Sequence, residues 1–154
     1  MTRAVVRLAK DADLPAIAWL RRELTLEQEG DRGDPEFEAR FAAWWARESS
    51  RRITWLAEVE HDPVGTMNLA AFERMPRPGR EPSRWGYLGN AFVLAPYRNQ
   101  GIGGQLLAAV LGYARGHSFA RVVLSPSERS VPLYRRGGFG PADVLRVWTP
   151  PDRG

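Results

Sequence analysis

Residues 92–107 read FVLAPYRNQGIGGQLL and join a strand-like apolar run to an amphipathic helical pattern through a glycine-rich turn. The first N–H groups of a helix have no partner within the helix, and the helix dipole adds partial positive charge at the same end. Gly101, Gly103 and Gly104 leave these amides uncovered, because glycine has no side chain to keep an anion at a distance. The segment therefore predicts an anion site, of the kind that holds phosphate, where this helix begins.

Two common phosphate-binding motifs do not fit this turn. The dinucleotide fingerprint needs a third glycine three positions after Gly103, and that position is Leu106. The phosphate loop of many nucleotide-hydrolysing proteins needs Gly-Lys before Ser or Thr, whereas the only lysine in the chain is Lys10. The turn therefore predicts a phosphate site of another class.

Outward from the turn, the hydrophobic periodicity alternates between strand and helix. Before the turn it predicts a strand at 5–8, helices at 13–27 and 35–49, and strands at 53–59, 64–72 and 85–94. After the turn it predicts a helix at 101–116, a strand at 122–124, a short helix at 132–136 and a last strand at 144–148. This order predicts one mixed α and β domain over residues 1–149, followed by a short tail at 150–154.

Two connections have their own sequence signals. The polar turn at 60–63, with Gly65 just beyond it, predicts a hairpin that contains His61. The prolines and glycine of 74–84 interrupt regular structure, so this segment predicts a mobile loop between two strands.

The helix at 35–49 carries an aromatic stripe. Its members are Phe37, Phe41, Trp44 and Trp45. Aromatic side chains at helical spacing most often pack into a core, so we expect this stripe to be core in the first place and the wall of a pocket in the second.

Composition removes several classes of protein. The chain has 154 residues, 44% of them hydrophobic, and it contains no cysteine, which excludes disulfides, thiolate nucleophiles and thiolate metal sites. His61 and His117 are the only histidines, so a zinc site is not expected. The longest apolar run, 106–111, is too short to span a membrane, and residues 1–13 lack the unbroken apolar segment of a secretory signal. We therefore expect a cytoplasmic protein without a membrane partner.

The net charge of +4 comes almost entirely from arginine and admits an anionic ligand. These arginines are scattered and do not form a dense basic tract. The helix after Gly101 has only Arg115 as a cation, so nucleic acid is not expected as a partner. If the protein bound to DNA in a salt-dependent way, the alternative of a nucleic-acid-binding domain would be supported.

The segment Arg98-Asn99-Gln100-Gly101-Ile102-Gly103 resembles the acyl-CoA-binding signature of the GCN5-related N-acetyltransferase (GNAT) superfamily. That signature is Arg or Gln, two residues, Gly, one residue, then Gly or Ala. Val93 and Pro96 before it and Gln105-Leu106-Leu107 after it agree with the resemblance. A second match, Leu133-Tyr134 followed after three residues by Gly-Phe at 138–139, is similar to a later motif of the family. Together with the predicted order of strands and helices, the resemblance covers nearly the whole chain.

The resemblance implies an α+β fold with a mixed, mostly antiparallel sheet flanked by helices and with two central strands that splay apart. The strand that ends at Val93-Leu94 would separate from the strand at 122–124, and the pantetheine of acetyl-CoA would pair with the exposed edge. The cofactor-binding residues implied in this way are Val93, Leu94, Arg98, Asn99, Gln100, Gly101, Ile102, Gly103, Gly104 and Ser127. Ser127 stands where many members carry an asparagine, and it could equally cap the following helix together with Ser130.

For catalysis, the resemblance implies that Tyr134 lies near the sulfur of CoA and donates a proton to the leaving thiolate. An ordinary half-buried tyrosine on a short helix is the structural alternative. A backbone N–H near Val93 would polarise the thioester carbonyl. No general base is singled out: Asn90 is not basic, and Glu23 or Glu73 would have to act through water. Arg135 and Arg136 are candidates for the 3′-phosphate of CoA.

The sequence therefore predicts transfer of acetyl from acetyl-CoA to an amine of a small molecule, peptide or protein by direct attack in a ternary complex. By position, Trp44, Trp45 and the loop at 75–85 would select the acceptor. One alternative is a CoA-binding sensor or scaffold of the same fold without turnover. A homodimer is also expected, since small domains with exposed edge strands often pair.

Overall fold

The structure is a computed structural model that describes residues 3–151. Its strands are Val5–Leu8 (β1), Arg52–Val59 (β2), Asp62–Glu73 (β3), Arg84–Val93 (β4) and Phe119–Val123 (β5). Its α-helices are Leu14–Glu29 (α1), Phe37–Glu48 (α2), Ile102–Gly116 (α3) and Val131–Arg136 (α4). Short 3₁₀ turns at Asp11–Asp13, Ser49–Arg51, Ala95–Tyr97 and Glu128–Ser130 connect some of these elements.

The strands form one five-stranded sheet in chain order. The pairs β1–β2, β2–β3 and β3–β4 are antiparallel. The pair β4–β5 is parallel, because α3 connects these two strands as a crossover. The turn between β2 and β3 consists of Glu60 and His61, whose φ angles of 50° and 71° suit the tight turn of a twisted hairpin. The predicted hairpin and the mixed, mostly antiparallel sheet are confirmed.

β4 and β5 separate along their length. The last paired residues are Tyr87 of β4 and Val123 of β5, the final residue of β5. β4 continues to Val93, so its second half has no neighbouring strand on the β5 side within the described chain. This confirms the predicted splay and leaves a gap lined by backbone polar groups.

Helices cover both faces of the sheet and bury two hydrophobic clusters. On one face, α1 packs Ile17, Leu20 and Leu24 against Leu56 and Phe92 of the sheet. The cluster on the other face joins the sheet to α3 and α4 and includes Trp55, Met67, Leu69, Leu88, Ile102, Leu106, Leu107, Val110 and Tyr134. Because strand side chains alternate between faces, Leu56 and Trp55 belong to different clusters.

An ionic cluster fixes the start of α1 to the sheet. Arg7 on β1 donates to Asp13 at 2.7 Å and to Glu58 on β2 at 2.7 Å. Asp13 also accepts the N–H of Lys10 at 2.8 Å, which orders the turn that leads into the helix. One guanidinium therefore ties β1, β2 and α1 together.

The predicted last strand at 144–148 is wrong, because the structure forms no strand there. Val144, Val147 and Trp148 are 83%, 91% and 81% exposed, and no neighbouring strand pairs with them in the described chain. Alternating apolar residues become a strand only when an edge accepts their backbone hydrogen bonds. β5 also lies earlier than predicted, at 119–123 rather than 122–124. The domain bounds of 1–149 stay a prediction.

Within residues 3–151, no helix is both long and apolar enough to cross a membrane. The same part of the chain brings together no group of three or more His, Cys, Asp or Glu side chains suited to a metal ion. His61 lies in the hairpin turn, as predicted, and His117 lies at the end of α3.

Candidate functional site

The glycine turn opens the first turn of α3 towards the gap beside β4. Asn99 and Gly101 have φ angles of 61° and 84°, which reverse the chain into the helix. Gly101 is the residue before the helix, and its carbonyl accepts the N–H of Gln105 at 3.0 Å, whereas no side chain caps the helix. A Cβ at Gly104 would meet nothing within 4 Å. The first turn of α3 is therefore accessible from outside, as an anion site requires.

The neighbouring predicted positions serve other purposes. A Cβ at Gly103 would lie 3.3 Å from Leu133 of α4, so this glycine permits close packing between two helices. The Ile102 side chain is 1% exposed and belongs to the core, so only its backbone is available to a ligand. Gln100 donates from its side chain to Pro96 at 3.0 Å and thereby helps to shape the turn.

The Arg98 guanidinium holds the turn in place through contacts within the protein. Its Nε donates to the Val93 carbonyl at 2.8 Å and its Nη1 donates to Glu27 of α1 at 2.6 Å. It also lies 5.5 Å from the centre of the Phe92 ring. Arg98 lowers the pKa of Glu27 below its ordinary value, chiefly through hydrogen bonding. Arg98 therefore links α1, the end of β4 and the glycine turn, instead of presenting a free charge to a phosphate.

At the end of β4, the backbone N–H groups of Val93 and Leu94 point to opposite edges of the strand. The N–H of Leu94 donates to Val64 of β3 at 2.8 Å, and its carbonyl accepts the N–H of Tyr97 at 2.9 Å, so Leu94 has only its side chain left for a ligand. Successive amides of a strand point to opposite edges. The amide of Val93 therefore points away from β3, into the gap.

Tyr134 lies behind the turn, in the core on the α3 face of the sheet. It is 6% exposed and packs edge to face against Phe139, with ring centres 5.7 Å apart. Its hydroxyl has no hydrogen-bond partner in the described part of the chain. Burial raises the pKa of Tyr134 above its ordinary value, so the hydroxyl keeps its proton. Tyr134 lines a cavity of about 570 Å³ between β5, α4 and residues 140–145.

Ser127 takes part in a local turn before α4. Its hydroxyl donates to Ser130 at 3.0 Å, and its carbonyl accepts the N–H groups of Ser130 and Val131. This is the helix-starting arrangement that the sequence allowed as an alternative to a cofactor contact. Arg135 and Arg136, in the last turn of α4, are exposed.

A second cavity, of about 320 Å³, lies between α1, α2 and the sheet on the opposite face from Tyr134. The aromatic stripe of α2 lines it: Phe37, Phe41, Trp44 and Trp45. Phe41 and Trp45 also pack, partly buried, against the core cluster beneath α1, although no residue of α2 is fully buried. The stripe is therefore both the edge of the core and the wall of a pocket. The physical reason is that α2 packs on α1 and leaves space above the sheet.

Polar side chains form the floor of this aromatic cavity. Thr54 on β2 and Asn68 on β3 are cross-strand partners, and the Asn68 amide donates to the Thr54 hydroxyl at 2.7 Å. The Oδ1 of Asn68 accepts from Arg52 at 3.0 Å. Thr66 donates to the Trp55 carbonyl at 2.9 Å. Buried polar groups are costly unless they are paired, and these are paired in a network that faces the cavity.

The aromatic cavity contains no carboxylate or histidine among the described residues that line it. Glu23 and Glu73, the candidates for a base acting through water, are not among its lining residues. Asn90 does line it, next to Phe92, even though the strand alternation used to place it is interrupted. The pairing of β3 with β4 contains a bulge, because one β3 residue between Thr66 and Asn68 faces two residues of β4. Asn90, with a φ of 52°, is one of these two β4 residues.

Sequence reasoning missed two parts of this arrangement. Glu27 was not singled out, because its partner Arg98 is 71 positions away and no local pattern connects them. The polar floor carried a usable signal, since Arg52 and Thr54 on β2, and Thr66 and Asn68 on β3, are polar at alternate positions of otherwise apolar strands. Such residues on the covered face of a sheet indicate a lined cavity.

A sheet that opens beside a glycine turn at a helix N-terminus is the arrangement that the sequence resemblance implied. The sequence matches the Acetyltransferase (GNAT) family over residues 14–139, and the chain belongs to this family. No curated protein sequence matches it. The family and the fold that the sequence resemblance implied are thus confirmed.

Solved structures of the same fold cover nearly the whole chain. A predicted acetyltransferase of Clostridium acetobutylicum, crystallised with acetyl-CoA, has a TM-score of 0.76 and 19% identity over 96% of each chain. A GCN5-related N-acetyltransferase of Ralstonia eutropha has a TM-score of 0.69 and 24% identity over 96% of this chain and 99% of its own. Glucosamine-6-phosphate N-acetyltransferase of Arabidopsis thaliana has a TM-score of 0.72 and 13% identity over 96% of this chain and 98% of its own. At these identities the likeness concerns the fold.

Proposed function

We propose that this protein is an acetyl-CoA-dependent N-acetyltransferase that acetylates an amine of a small molecule or peptide. The observation that carries the proposal is the accessible first turn of α3 beside the unpaired edge of β4. A pyrophosphate and the extended arm attached to it need neighbouring sets of backbone donors, and these two features supply them. Membership of the GNAT family supports the same reaction class.

The residues present fit such a ligand. The amides of Gln100, Gly101, Gly103 and Gly104 would hold the pyrophosphate, and the open space at Gly104 admits it. Asn99 would contribute its backbone just before this set of amides, and Ile102 would contribute its backbone within it. Ser127, at the exposed turn before α4, would reach the ligand only by giving up its bond to Ser130.

Acetyl-CoA would supply an activated acetyl group as a thioester. In the proposed reaction the lone pair of the neutral acceptor nitrogen would attack the carbonyl carbon, and the carbon–sulfur bond would break with its electron pair going to the sulfur. The N–H of Val93 would stabilise the charge that develops on the carbonyl oxygen. The hydroxyl of Tyr134 would donate a proton to the sulfur, and burial keeps that hydroxyl protonated. The ammonium form of the acceptor would give one proton to water before the attack and a second after it, and water would return a proton to Tyr134.

The aromatic cavity and Tyr134 lie on opposite faces of the sheet. The gap between β4 and β5 is where these faces can communicate, because the sheet is continuous only up to Tyr87 and Val123. The acceptor would therefore enter from the aromatic cavity and meet the thioester at the gap.

Thermal unfolding of the purified protein with acetyl-CoA, ATP or NAD at equal concentration tests the proposal. A ligand at 100 times its dissociation constant stabilises the folded state by about 2.7 kcal/mol. We expect a clear rise in Tm with acetyl-CoA alone, followed by release of free thiol when an accepted amine is added. No rise with acetyl-CoA would contradict the assignment of the glycine turn.

A second candidate function is a CoA-binding sensor or scaffold without turnover. The absence of a carboxylate or histidine from the described lining of the aromatic cavity favours it. Acetyl-CoA binding without thiol release across a broad amine panel would support this candidate. A cytoplasmic location and a homodimer stay predictions from the sequence.

A further inference from the structure

The aromatic cavity has a positively charged wall. Of the residues described, its ionisable lining side chains are Arg21 and Arg52, with no acidic group among them. Arg21 projects from α1, and its guanidinium has no hydrogen bond or ion pair within residues 3–151. Simple amines are cations near neutral pH, so an amine without a compensating anion would be repelled by this wall.

We infer that the acceptor is a small amine that carries a carboxylate or phosphonate-type anion together with an apolar, preferably aromatic, side group. This inference rests on the proposed function, because it names the acceptor class of the same site.

Arg52 is the better anchor for the anion, because the protein already holds its guanidinium. The Nε donates to Glu48 at 3.0 Å, the Nη1 donates to Asn68 at 3.0 Å, and the group lies 5.0 Å from the centre of the Trp44 ring. Nη2 has no partner in the described chain. A guanidinium fixed in this way loses little side-chain entropy when it binds an anion, and its planar donors match carboxylate and phosphonate oxygens.

Glu48 does not cancel this positive charge. Its carboxylate is shared between Arg52 at 3.0 Å and Arg51 at 2.6 Å, so the three groups carry a net positive charge. Glu48 lines the adjoining cavity of about 260 Å³ and not the aromatic cavity. Hydrogen bonds from Arg51, and then from Arg52, lower the pKa of Glu48, which therefore stays ionised as their partner.

The aromatic side of the cavity explains the apolar part of the inference. Phe37, Phe41 and Trp44 stand in a row, with ring centres 5.6 Å and 5.4 Å apart. Half-exposed rings gain free energy when an apolar or aromatic group covers them. A volume of about 320 Å³ is at the low end for small-molecule sites, so the cavity suits a ligand of amino-acid size.

The cavity also has a direction. Arg52 lies at the start of β2, whereas Asn90 and Phe92 lie near the end of β4, which leads to the gap. An acceptor with its anion on Arg52 and its apolar group on the rings would extend its amine towards β4. This orientation brings the nitrogen to the end of the cavity from which the thioester can be reached.

A panel of matched amines tests the inference. The probes are L-phenylalanine, its neutral amide phenylalaninamide, the aminophosphonic acid with the same benzyl side chain, L-alanine and spermidine. We expect kcat/KM for phenylalanine or the phosphonate to exceed that for the amide and for spermidine by about tenfold or more. The two anionic probes distinguish carboxylate from phosphonate recognition, and alanine measures the contribution of the aromatic wall.

Variants locate the effect at the proposed anchor. Arg52→Gln should raise KM for the anionic amine by about tenfold and remove the preference over phenylalaninamide, with KM for acetyl-CoA unchanged. Arg47→Gln is the matched control, because Arg47 is exposed on α2 and lines neither this cavity nor the adjoining one, and it should change neither value more than about twofold. Arg21→Gln should give a smaller loss of the preference for the anionic amine over phenylalaninamide. Because Arg21 is exposed, this variant tests the inference even if the Arg52 variant does not fold.

Binding is measured in parallel by thermal unfolding, so the result does not depend on turnover. Stabilisation by the anionic probes but not by phenylalaninamide supports the inference. Equal activity on the anionic and neutral amines, or no binding of either anionic probe by a protein that binds acetyl-CoA, overturns it. Failure to bind acetyl-CoA would instead contradict the proposed function.

Discussion

Gly103 and Gly104 are adjacent in the sequence but face different surroundings. A Cβ at Gly104 meets open space, whereas one at Gly103 lies 3.3 Å from Leu133. Both glycines belong to the glycine-rich start of α3, and only the packing of α4 on α3 separates their roles. A substitution at Gly104 therefore tests ligand binding, and a substitution at Gly103 tests binding and packing together.

We predict that Gly104→Glu weakens acetyl-CoA binding by about 100-fold, through steric block and repulsion of the pyrophosphate, with little change in Tm. Gly112→Glu is the matched control, because it lies on the same helix with open space at its Cβ, away from the first turn. Isothermal titration and thermal unfolding measure the two properties. An unchanged dissociation constant in Gly104→Glu would remove the pyrophosphate from this turn.

We predict that Tyr134→Phe lowers kcat by about 100-fold and leaves KM for acetyl-CoA nearly unchanged, because it removes only the proton donor. Since burial raises the pKa of Tyr134, the wild-type rate should not fall at alkaline pH below the ordinary tyrosine value near 10.0. Tyr113→Phe, on the same face of the sheet, is the control. Equal kcat values for Tyr134→Phe and wild type would leave Tyr134 as a packing residue.

At the scale of elements, Glu27 connects α1 to the glycine turn. Its ion pair with Arg98 is supplemented by Arg129 at 3.5 Å, so one carboxylate contacts residues before both α3 and α4. Arg98 in turn holds the carbonyl of Val93 at the end of β4. The position of the turn therefore depends on a contact made by a different helix.

We predict that Glu27→Gln raises KM for acetyl-CoA by about fivefold without changing kcat, because the turn loses its charged partner while the reacting groups remain. Glu29→Gln is the matched control, since Glu29 lies on the same helix and, within residues 3–151, forms its ion pair with Arg32 alone, at 3.3 Å. Steady-state kinetics at saturating amine distinguishes the two variants. A change in kcat alone would contradict a role in positioning the turn.

At the scale of the whole molecule, the cluster of Arg7, Asp13 and Glu58 links stability to pH. Hydrogen bonding from Arg7 lowers the pKa of Asp13 to about 2, below its ordinary value of 3.8. Because the folded-state pKa is lowered, the stabilisation is fully present above the unfolded value and is lost as the pH falls through the folded value.

We therefore predict that the free energy of unfolding contributed by this cluster decreases between about pH 4 and pH 2 and is constant above that range. Asp13→Asn should flatten this part of the pH profile, and Asp11→Asn, two positions earlier on an exposed turn, should leave it unchanged. Urea unfolding at a series of pH values gives the measurement. Parallel profiles for wild type and Asp13→Asn would show that other carboxylates control acid unfolding.

Local patterns were sufficient for most of the elements. Periodicity predicted α1, α2, α3 and β1 to β4 to within a few residues, since each buries one face. The last predicted strand, 144–148, was wrong, because a strand depends on a neighbouring edge that the local pattern does not contain.

By itself, the sequence determined the glycine turn, the helix that follows it and the family to which the chain belongs, because these depend on backbone freedom and residue spacing over short distances. Only the tertiary structure decided that α2 turns its aromatic rings to a cavity, that Arg98 is paired with Glu27, and that Arg52 is held against Trp44. The pair of Arg98 and Glu27 joins segments far apart in the chain, and the contact of Arg52 with Trp44 depends on the angle at which α2 meets β2. Their geometry follows from how helices pack on the two faces of the sheet, and local sequence preference does not encode that packing.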